Sequence, residues 1–170
     1  MSKILILNTG GTFNKRYNPL KGELEVPHDS FALESILCYC YNSSYEIHNI
    51  IHKDSLDMND EDRALMVQCI ENSECTKVLI VHGTDTMDIT ASYLALHVRH
   101  KTVTLTGAMV PFTINTVEAT SNLMLALSDL QSREKQGVFI AMHGLVAPYN
   151  AIYKNRKKGI FEPCPVSDDA

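Results

Sequence analysis

Five short apolar runs divide this chain, and they constrain its fold more than any other feature. They lie at residues 3–8, 46–51, 77–82, 102–106 and 137–142 and are rich in Ile, Val and Leu. Each run is continuously apolar rather than alternating, which is typical of strands that are buried on both faces of a sheet. Turn-forming residues follow the runs. The chain is therefore expected to contain a sheet that is covered on both sides.

Helical patterns occupy the stretches between the runs. Asp29 or Ser30 can cap a first helix, and Asn59 can cap a second. A third helix is predicted at residues 88–100 and a fourth at 116–132, before the stop signal of a glycine. Apolar side chains at helical spacing mark the buried faces of the first, second and fourth helices: Phe31, Leu33, Ile36 and Leu37; Leu65, Met66, Cys69 and Ile70; Leu123, Leu127 and Leu130.

The alternation of strand and helix predicts an α/β domain with a doubly wound parallel sheet. We expect a single flavodoxin-like domain with strand order 2-1-3-4-5, which makes the first and third strands neighbours and puts the topological switch point between them. The domain is predicted at residues 1–154. Residues 155–170 are predicted to be a solvated or partner-contacting tail, because they combine a basic run with two prolines.

Composition excludes several classes of function. The net charge is −5 and there is no basic stripe, so no nucleic acid is expected as a partner. No apolar stretch is long enough to span a membrane. The first strand begins by Lys3, which leaves no room for a signal peptide, so we expect a cytoplasmic protein. The five cysteines form no Cys-x-x-Cys and are expected to be free, and the histidines show no zinc-binding spacing.

Two threonine-containing turns follow the first and third predicted strands. Residues 8–12 read Asn-Thr-Gly-Gly-Thr and residues 82–86 read His-Gly-Thr-Asp-Thr. Open α/β sheets bind ligands at the carboxyl ends of their strands. Glycines allow the backbone to approach a ligand closely, N–H groups can hold an oxyanion, and a threonine hydroxyl can attack an acyl carbon. The alternatives are a simple glycine turn for the first motif and a helix cap by Asp85 for the second.

Together the two turns resemble the L-asparaginase/glutaminase family of amidohydrolases, whose motifs read Thr-Gly-Gly-Thr and then His-Gly-Thr-Asp-Thr. Residues 54–58, Asp-Ser-Leu-Asp-Met, are similar to that family's substrate-binding segment. Residues 106–111, Thr-Gly-Ala-Met-Val-Pro, resemble the segment after its second motif, and Lys154 matches its catalytic lysine. Four motifs in the right order across almost the whole chain are a far more specific signal than one.

The resemblance implies that L-asparagine is hydrolysed to L-aspartate and ammonia through an acyl-threonine intermediate, with L-glutamine as a poorer substrate. Thr12 matches the nucleophile, Thr84 the second threonine, and Asp85 and Lys154 the activating partners. Tyr17 is the candidate for the tyrosine of the lid. A threonine hydroxyl needs a base, and lysine can serve if its pKa is lowered by burial, so no metal or organic cofactor is required. The expected substrate-binding residues are Gly11, Ser55, Leu56, Gly83, Thr84, Asp85 and Ala108.

The chain also departs from the family. A second domain usually follows the lysine segment and supplies an acid near the α-ammonium of the substrate, whereas this chain ends at Ala170. We therefore expect Asp85 to hold that ammonium alone, unless Glu118 or a partner-chain residue replaces the acid, while Ser55 binds the α-carboxylate. Tyr17 comes earlier than the lid tyrosine, and Val110 stands where a basic residue is common.

The open site at the strand ends bears on the oligomeric state and on the alternative functions. A homodimer is expected, because a symmetric copy can cover an open site. The alternative function is a noncatalytic amino-acid-binding module that keeps the pocket without turnover. A phosphate or nucleotide binder is disfavoured, because the chain lacks Gly-x-Gly-x-x-Gly and a Gly-Lys-Ser/Thr loop.

Overall fold

A six-stranded sheet with two helices on each face forms the centre of the protein. The computed structural model describes residues 3–165. In chain order the strands are β1 (Ile4–Gly10), β2 (Arg16–Asn18), β3 (Glu23–Glu25), β4 (Tyr45–Lys53), β5 (Lys77–Val81), β6 (Thr102–Thr106), β7 (Gly137–Met142), β8 (Leu145–Pro148), β9 (Ile152–Asn155) and β10 (Ile160–Pro163). The helices are α1 (Phe31–Leu37), α2 (Asp60–Asn72), α3 (Met87–His97) and α4 (Thr116–Ser132).

The sheet has the order β4-β1-β5-β6-β7-β8. Its first five strands are parallel. Their order, β4-β1-β5-β6-β7, is the predicted order 2-1-3-4-5, with β1 paired to β4 on one side and to β5 on the other. The sixth strand, β8, was not predicted and runs antiparallel to β7. His143 and Gly144 join these two strands with φ angles of 51° and 82°. Two positive φ angles in a two-residue loop are typical of the tight turn that closes a hairpin.

The two faces of the sheet bury separate cores. In β1, Ile4 and Ile6 pack into a cluster with α1 and α4, whereas Leu5 and Leu7 pack into a cluster with α2 and α3. Successive side chains of a strand point to opposite faces, so a continuously apolar strand can serve both cores. The prediction of a doubly wound α/β fold is thus confirmed, and the ends of β1 and β5 lie side by side.

The segment after β8 corrects the predicted tail. Strands β9 and β10 form an antiparallel hairpin. Phe161 is only 4% exposed and belongs to the core beside α2 and α3. The tail from residue 155 was predicted to be solvated or partner-contacting. Its basic run at 156–158 is exposed, whereas Phe161, a single aromatic after that run, packs into the core. Packed structure continues past the predicted boundary at 154, and residues 166–170 of that prediction lie outside the described part.

Candidate active site

The first turn is shaped by two glycines at the end of β1. Gly10 and Gly11 have φ angles of 100° and 72°, a region that favours glycine. A Cβ on Gly10 would lie 2.5 Å from the carbonyl oxygen of Lys53, so the turn lies directly on the backbone of β4. Thr12 then opens a short 3₁₀ turn in which Phe13 is fully buried. Phe13 anchors the turn in the core, and Thr12 is left partly exposed beside it.

Buried amides hold this turn from below. Asn14 donates from Nδ2 to Oδ1 of Asn8 at 2.8 Å and to the carbonyl of Gly10 at 2.7 Å. Thr9 donates from Oγ1 to the carbonyl of Val81 at 2.7 Å, which ties the end of β1 to the end of β5. Buried polar groups need partners, so these side chains fix the turn rather than contact a ligand. No supporting role was predicted for Asn8 or Asn14, although an asparagine that ends an apolar run was an available signal.

The two threonine turns are in direct contact through their glycines. A Cβ on Gly11 would lie 2.5 Å from both Cα and N of Gly83. A Cβ on Gly83 would lie 2.6 Å from Oγ of Ser55. Ser55 is fully buried, and its Oγ accepts a hydrogen bond from the backbone N–H of Asp85 at 3.2 Å. Ser55 therefore supports the second turn from beneath, and Thr12 and Thr84 follow two touching glycines.

Lys154 joins the second turn from the hairpin. Its Nζ donates to Oγ1 of Thr84 and to Oδ1 of Asp85, both at 2.8 Å. Thr84 is 6% exposed, and its own hydroxyl donates to Sδ of Met109 at 3.3 Å. The hydrogen bond from Lys154, followed by one from Arg156, holds the pKa of Asp85 below its ordinary value. The site thus contains an ionised carboxylate, Asp85, and a lysine in contact with the hydroxyl of Thr84. A lysine that has lost its proton can act as the base that such a hydroxyl needs.

Arg156 is a further member of this cluster. Its Nη1 lies 2.5 Å from Oδ1 of Asp85, and its Nη2 donates to the backbone carbonyl of Asp85 at 2.7 Å. Arg156 was not predicted as a site residue, because basic runs are usually solvated. Arg156 lies in the turn after β9, so strand periodicity from Lys154 gives no signal for its contact with Asp85.

His82 fixes the backbone of the second turn through its tautomer. Its Nδ1 lies 2.7 Å from the carbonyl of Gly83, and a carbonyl only accepts, so Nδ1 carries the hydrogen. The unprotonated Nε2 then accepts from the hydroxyl of Thr90 at 2.9 Å, and that hydroxyl accepts from Nε of Arg63 at 3.1 Å. Burial lowers the pKa of His82 to about 4, against the opposing effect of the Gly83 hydrogen bond. The ring is therefore neutral at physiological pH and positions the turn.

Glu118 fixes the loop after β6. Its two carboxylate oxygens accept from the backbone N–H groups of Met109 at 2.8 Å and Val110 at 3.0 Å. Oε1 also lies 3.0 Å from Nε2 of His143. This clamp holds Met109 against Thr84. Glu118 therefore supports this loop, and its proposed role as the replacement acid for a substrate ammonium stays a prediction.

Three further predicted site residues are Tyr17, Leu56 and Ala108. Tyr17 is 62% exposed on β2, and its hydroxyl faces Gly22 in the turn of its own hairpin. Leu56 is 68% exposed, whereas Ala108 is fully buried in the core that contains Phe13. A contact between Ala108 and a substrate would therefore use its main chain. A lid role for Tyr17 and substrate contacts of Leu56 and Ala108 stay predictions.

Comparison with known protein families and curated proteins identifies relatives over most of the chain. The family model described as "Asparaginase, N-terminal" matches residues 3–160. A probable periplasmic L-asparaginase of Haemophilus influenzae is 31% identical over 86% of this chain and 44% of its own length. L-asparaginase 2 of Escherichia coli is 30% identical over 86% of this chain and 44% of its own length. The chain thus spans less than half of the curated relatives that it matches.

Solved structures show the same fold. The thermostable L-asparaginase from Thermococcus kodakarensis superposes with a TM-score of 0.83 at 25% identity, covering 99% of this chain and 55% of that one. A probable cytoplasmic L-asparaginase from Campylobacter jejuni gives a TM-score of 0.81 at 26% identity, with 96% and 52% covered. The similarity therefore extends over nearly all of this chain.

Proposed function

The chain belongs to the asparaginase family, and from this premise we propose that it hydrolyses the side-chain amide of L-asparagine to L-aspartate and ammonia. L-glutamine is the expected poorer substrate. One observation carries the proposal: Nζ of Lys154 lies 2.8 Å from both Oγ1 of Thr84 and Oδ1 of Asp85. A noncatalytic binding module has little use for a lysine held against a threonine hydroxyl, so this contact favours the enzyme over that alternative.

In the proposed mechanism Thr12 is the nucleophile. Its hydroxyl attacks the amide carbon and forms an acyl-threonine as ammonia leaves with a proton. Thr84 and Lys154 carry protons during the attack and during the later hydrolysis by water, and Asp85 keeps Lys154 in place. The N–H of Gly11 is bound to the carbonyl of Lys53 at 2.9 Å, so the oxyanion must be held by other N–H groups of the two turns.

Ammonia release from L-asparagine by alanine variants tests this assignment. Thr12→Ala and Thr84→Ala should each lower kcat by several powers of ten. When catalytic groups act as a unit, removal of one member costs nearly as much as removal of all of them. Thr120→Ala, on the helix α4, is the matched control and should keep wild-type turnover. Near-normal turnover in both site variants, with unchanged circular dichroism, would refute the assignment. If the wild-type chain binds L-asparagine in calorimetry and releases no ammonia, the binding module is the better description.

The cytoplasm is the proposed location. No helix among residues 3–165 is long and apolar enough to cross a membrane. All five cysteines are free thiols, which suits a reducing compartment. The names of the relatives point both ways, since one is called periplasmic and another cytoplasmic. Fusion of the chain to a redox-sensitive fluorescent reporter would decide between the compartments.

A further inference from the structure

Arg156 occupies the carboxylate of Asp85, which the family resemblance assigns to the substrate's α-ammonium. Nη1 lies 2.5 Å from Oδ1 of Asp85, and Nη2 donates to the carbonyl of the same residue at 2.7 Å. Lys154 contacts the same oxygen, Oδ1, at 2.8 Å. We propose that Arg156 sets the substrate class of this site: with Asp85 already matched by two cations, the site accepts dicarboxylic acid monoamides that lack an α-ammonium. The inference rests on the proposed amidohydrolase function.

The local charge balance carries the argument. One carboxylate faces one ammonium and one guanidinium, so the cluster of Asp85, Lys154 and Arg156 has a net positive charge. A substrate ammonium at Asp85 would be a third cation around a single carboxylate and would be repelled by the other two. A neutral CH₂ at the same position has no such cost. In a site with a free acid, the amino group of L-asparagine would strengthen its binding relative to an amide without that group. We expect this difference in binding to be lost here.

Among the described residues, the neighbouring acids Asp54 and Asp88 form no ion pair with Lys154 or Arg156. Asp54 is paired with Nζ of Lys15 at 2.5 Å. Asp88 lies in the first turn of α3 and is exposed to solvent, where its charge is screened. It lines a cavity of about 190 Å³ together with Thr84, Asp85, Lys154 and Arg156. The side chain of Asp85 stays 31% exposed beside the guanidinium.

Arg156 contacts Asp85 at two points, and this explains how an exposed arginine can stay paired with that carboxylate. The side chain of Arg156 is 62% exposed, and a single surface ion pair would contribute little. The planar guanidinium fork instead binds the side chain and the main chain of Asp85 at once, which fixes its geometry. Lysine at this position would keep the charge and lose the fork. Arg156→Ala and Arg156→Lys therefore separate the charge from the geometry, and Lys157→Ala is the control for removal of a neighbouring exposed cation.

Steady-state kinetics on L-asparagine and on succinamic acid, its deamino analogue, provide the test. Water converts succinamic acid to succinate and ammonia in the same reaction. The wild-type chain should use the two amides with kcat/KM values within about tenfold of each other. Arg156→Ala should favour L-asparagine by a further factor of roughly 10 to 100, the effect of one charge-assisted hydrogen bond, mainly through a lower KM. Arg156→Lys should fall between, and Lys157→Ala should match wild type.

Two results would overturn the inference. One is a strict requirement for the amino group in the wild-type chain, and the other is an unchanged substrate ratio in Arg156→Ala. If the wild-type chain releases ammonia from neither amide, the proposed function fails, and calorimetry with L-aspartate and succinate then decides the inference separately. Comparable affinity for both in wild type, with a shift toward L-aspartate in Arg156→Ala, supports it. Strong preference for L-aspartate in wild type, or no shift in the variant, rejects it.

Discussion

Gly11 lies against the backbone of Gly83 so closely that a methyl group on Gly11 would stand 2.5 Å from its Cα and N. This contact joins the two threonine turns at the carboxyl ends of β1 and β5. The close approach fixes the relative position of Thr12 and Thr84 through main-chain atoms, which cannot be repacked as side chains can.

Gly11→Ala should therefore destabilise the protein and remove activity together. The variant has to move the backbone of Gly83 and to adopt a φ of 72°, and the expected cost is about 2–4 kcal/mol. Gly159→Ala is a matched control, since Gly159 has a φ of 68° and nothing within 4 Å of an added Cβ. Urea unfolding of both variants measures the difference. Equal losses would mean that φ strain alone, and not contact with Gly83, makes glycine necessary.

Lys154→Met should remove ammonia release and leave the fold in place. The variant keeps the length of the side chain and removes the group that contacts Thr84 and Asp85. We expect a loss of several powers of ten in kcat, as for other members of a catalytic unit. Lys157→Met, in the adjacent exposed run, should keep full activity. A silent Lys154→Met would place the proton transfer on another group.

Glu118→Gln should weaken the loop that carries Met109. An amide has one acceptor oxygen, so one of the two backbone N–H groups of Met109 and Val110 loses its partner. The expected destabilisation is about 1–3 kcal/mol, with a smaller fall in kcat than for Lys154→Met. Glu134→Gln, beyond the end of α4, is the control. Stability equal to wild type would show that the clamp does not hold the loop.

The stability of the fold should fall as the pH is lowered from 6.5 toward 4. The pKa of His82 is about 4 in the folded chain against an ordinary value of 6.5, so in this window the unfolded chain binds a proton that the folded chain does not. The free energy of unfolding then decreases with decreasing pH, by on the order of 3 kcal/mol in total. His82→Asn keeps a donor for the Gly83 carbonyl and should lose this part of the pH dependence. His97→Asn, at an exposed position on α3, should retain it.

A homodimer remains a prediction, and light scattering at micromolar concentration tests it. The expected mass is twice 19.0 kDa. Of the apolar residues that follow Lys154, Phe161 is buried within the chain, whereas Ile160 and Pro163 are exposed. A mass of one chain would show that the site is not covered by a second copy.

The fold was predictable because it depends on the spacing of apolar residues along the strands and helices. Continuous apolar runs such as Val78–Val81 in β5 specify strands buried on both faces, and two glycine-threonine turns specify the edge at which they end. Arg156 and Phe161 were not predictable in this way. One is an exposed cation whose partner lies 71 residues away, and the other is a single aromatic after a basic run. Neither residue lies in a periodic pattern, so its contacts can be recognised only in the folded structure.

The same limit applies to the supports of the site. His82 and Glu118 act on backbone groups of the turns, and a sequence motif does not show which carbonyl or N–H a side chain will meet. Tyr17 illustrates the converse. The lid role was assigned to it by resemblance, whereas its position on a short exposed hairpin follows from pairing with Leu24.

The hairpin of β9 and β10 can open without unfolding of the whole chain, so turnover can be lost while the sheet stays folded. Lys154 and Arg156 both reach Asp85 from this one hairpin, and the hairpin is fastened to the rest of the chain largely by Ile152 and Phe161. Small elements held by few buried side chains commonly open with less free energy than the central strands. A local opening here would withdraw both cations from Asp85 in one event, so turnover would disappear at lower urea or lower temperature than the sheet itself. Amide hydrogen exchange of the hairpin, and not the melting temperature, would then report how long the protein stays competent.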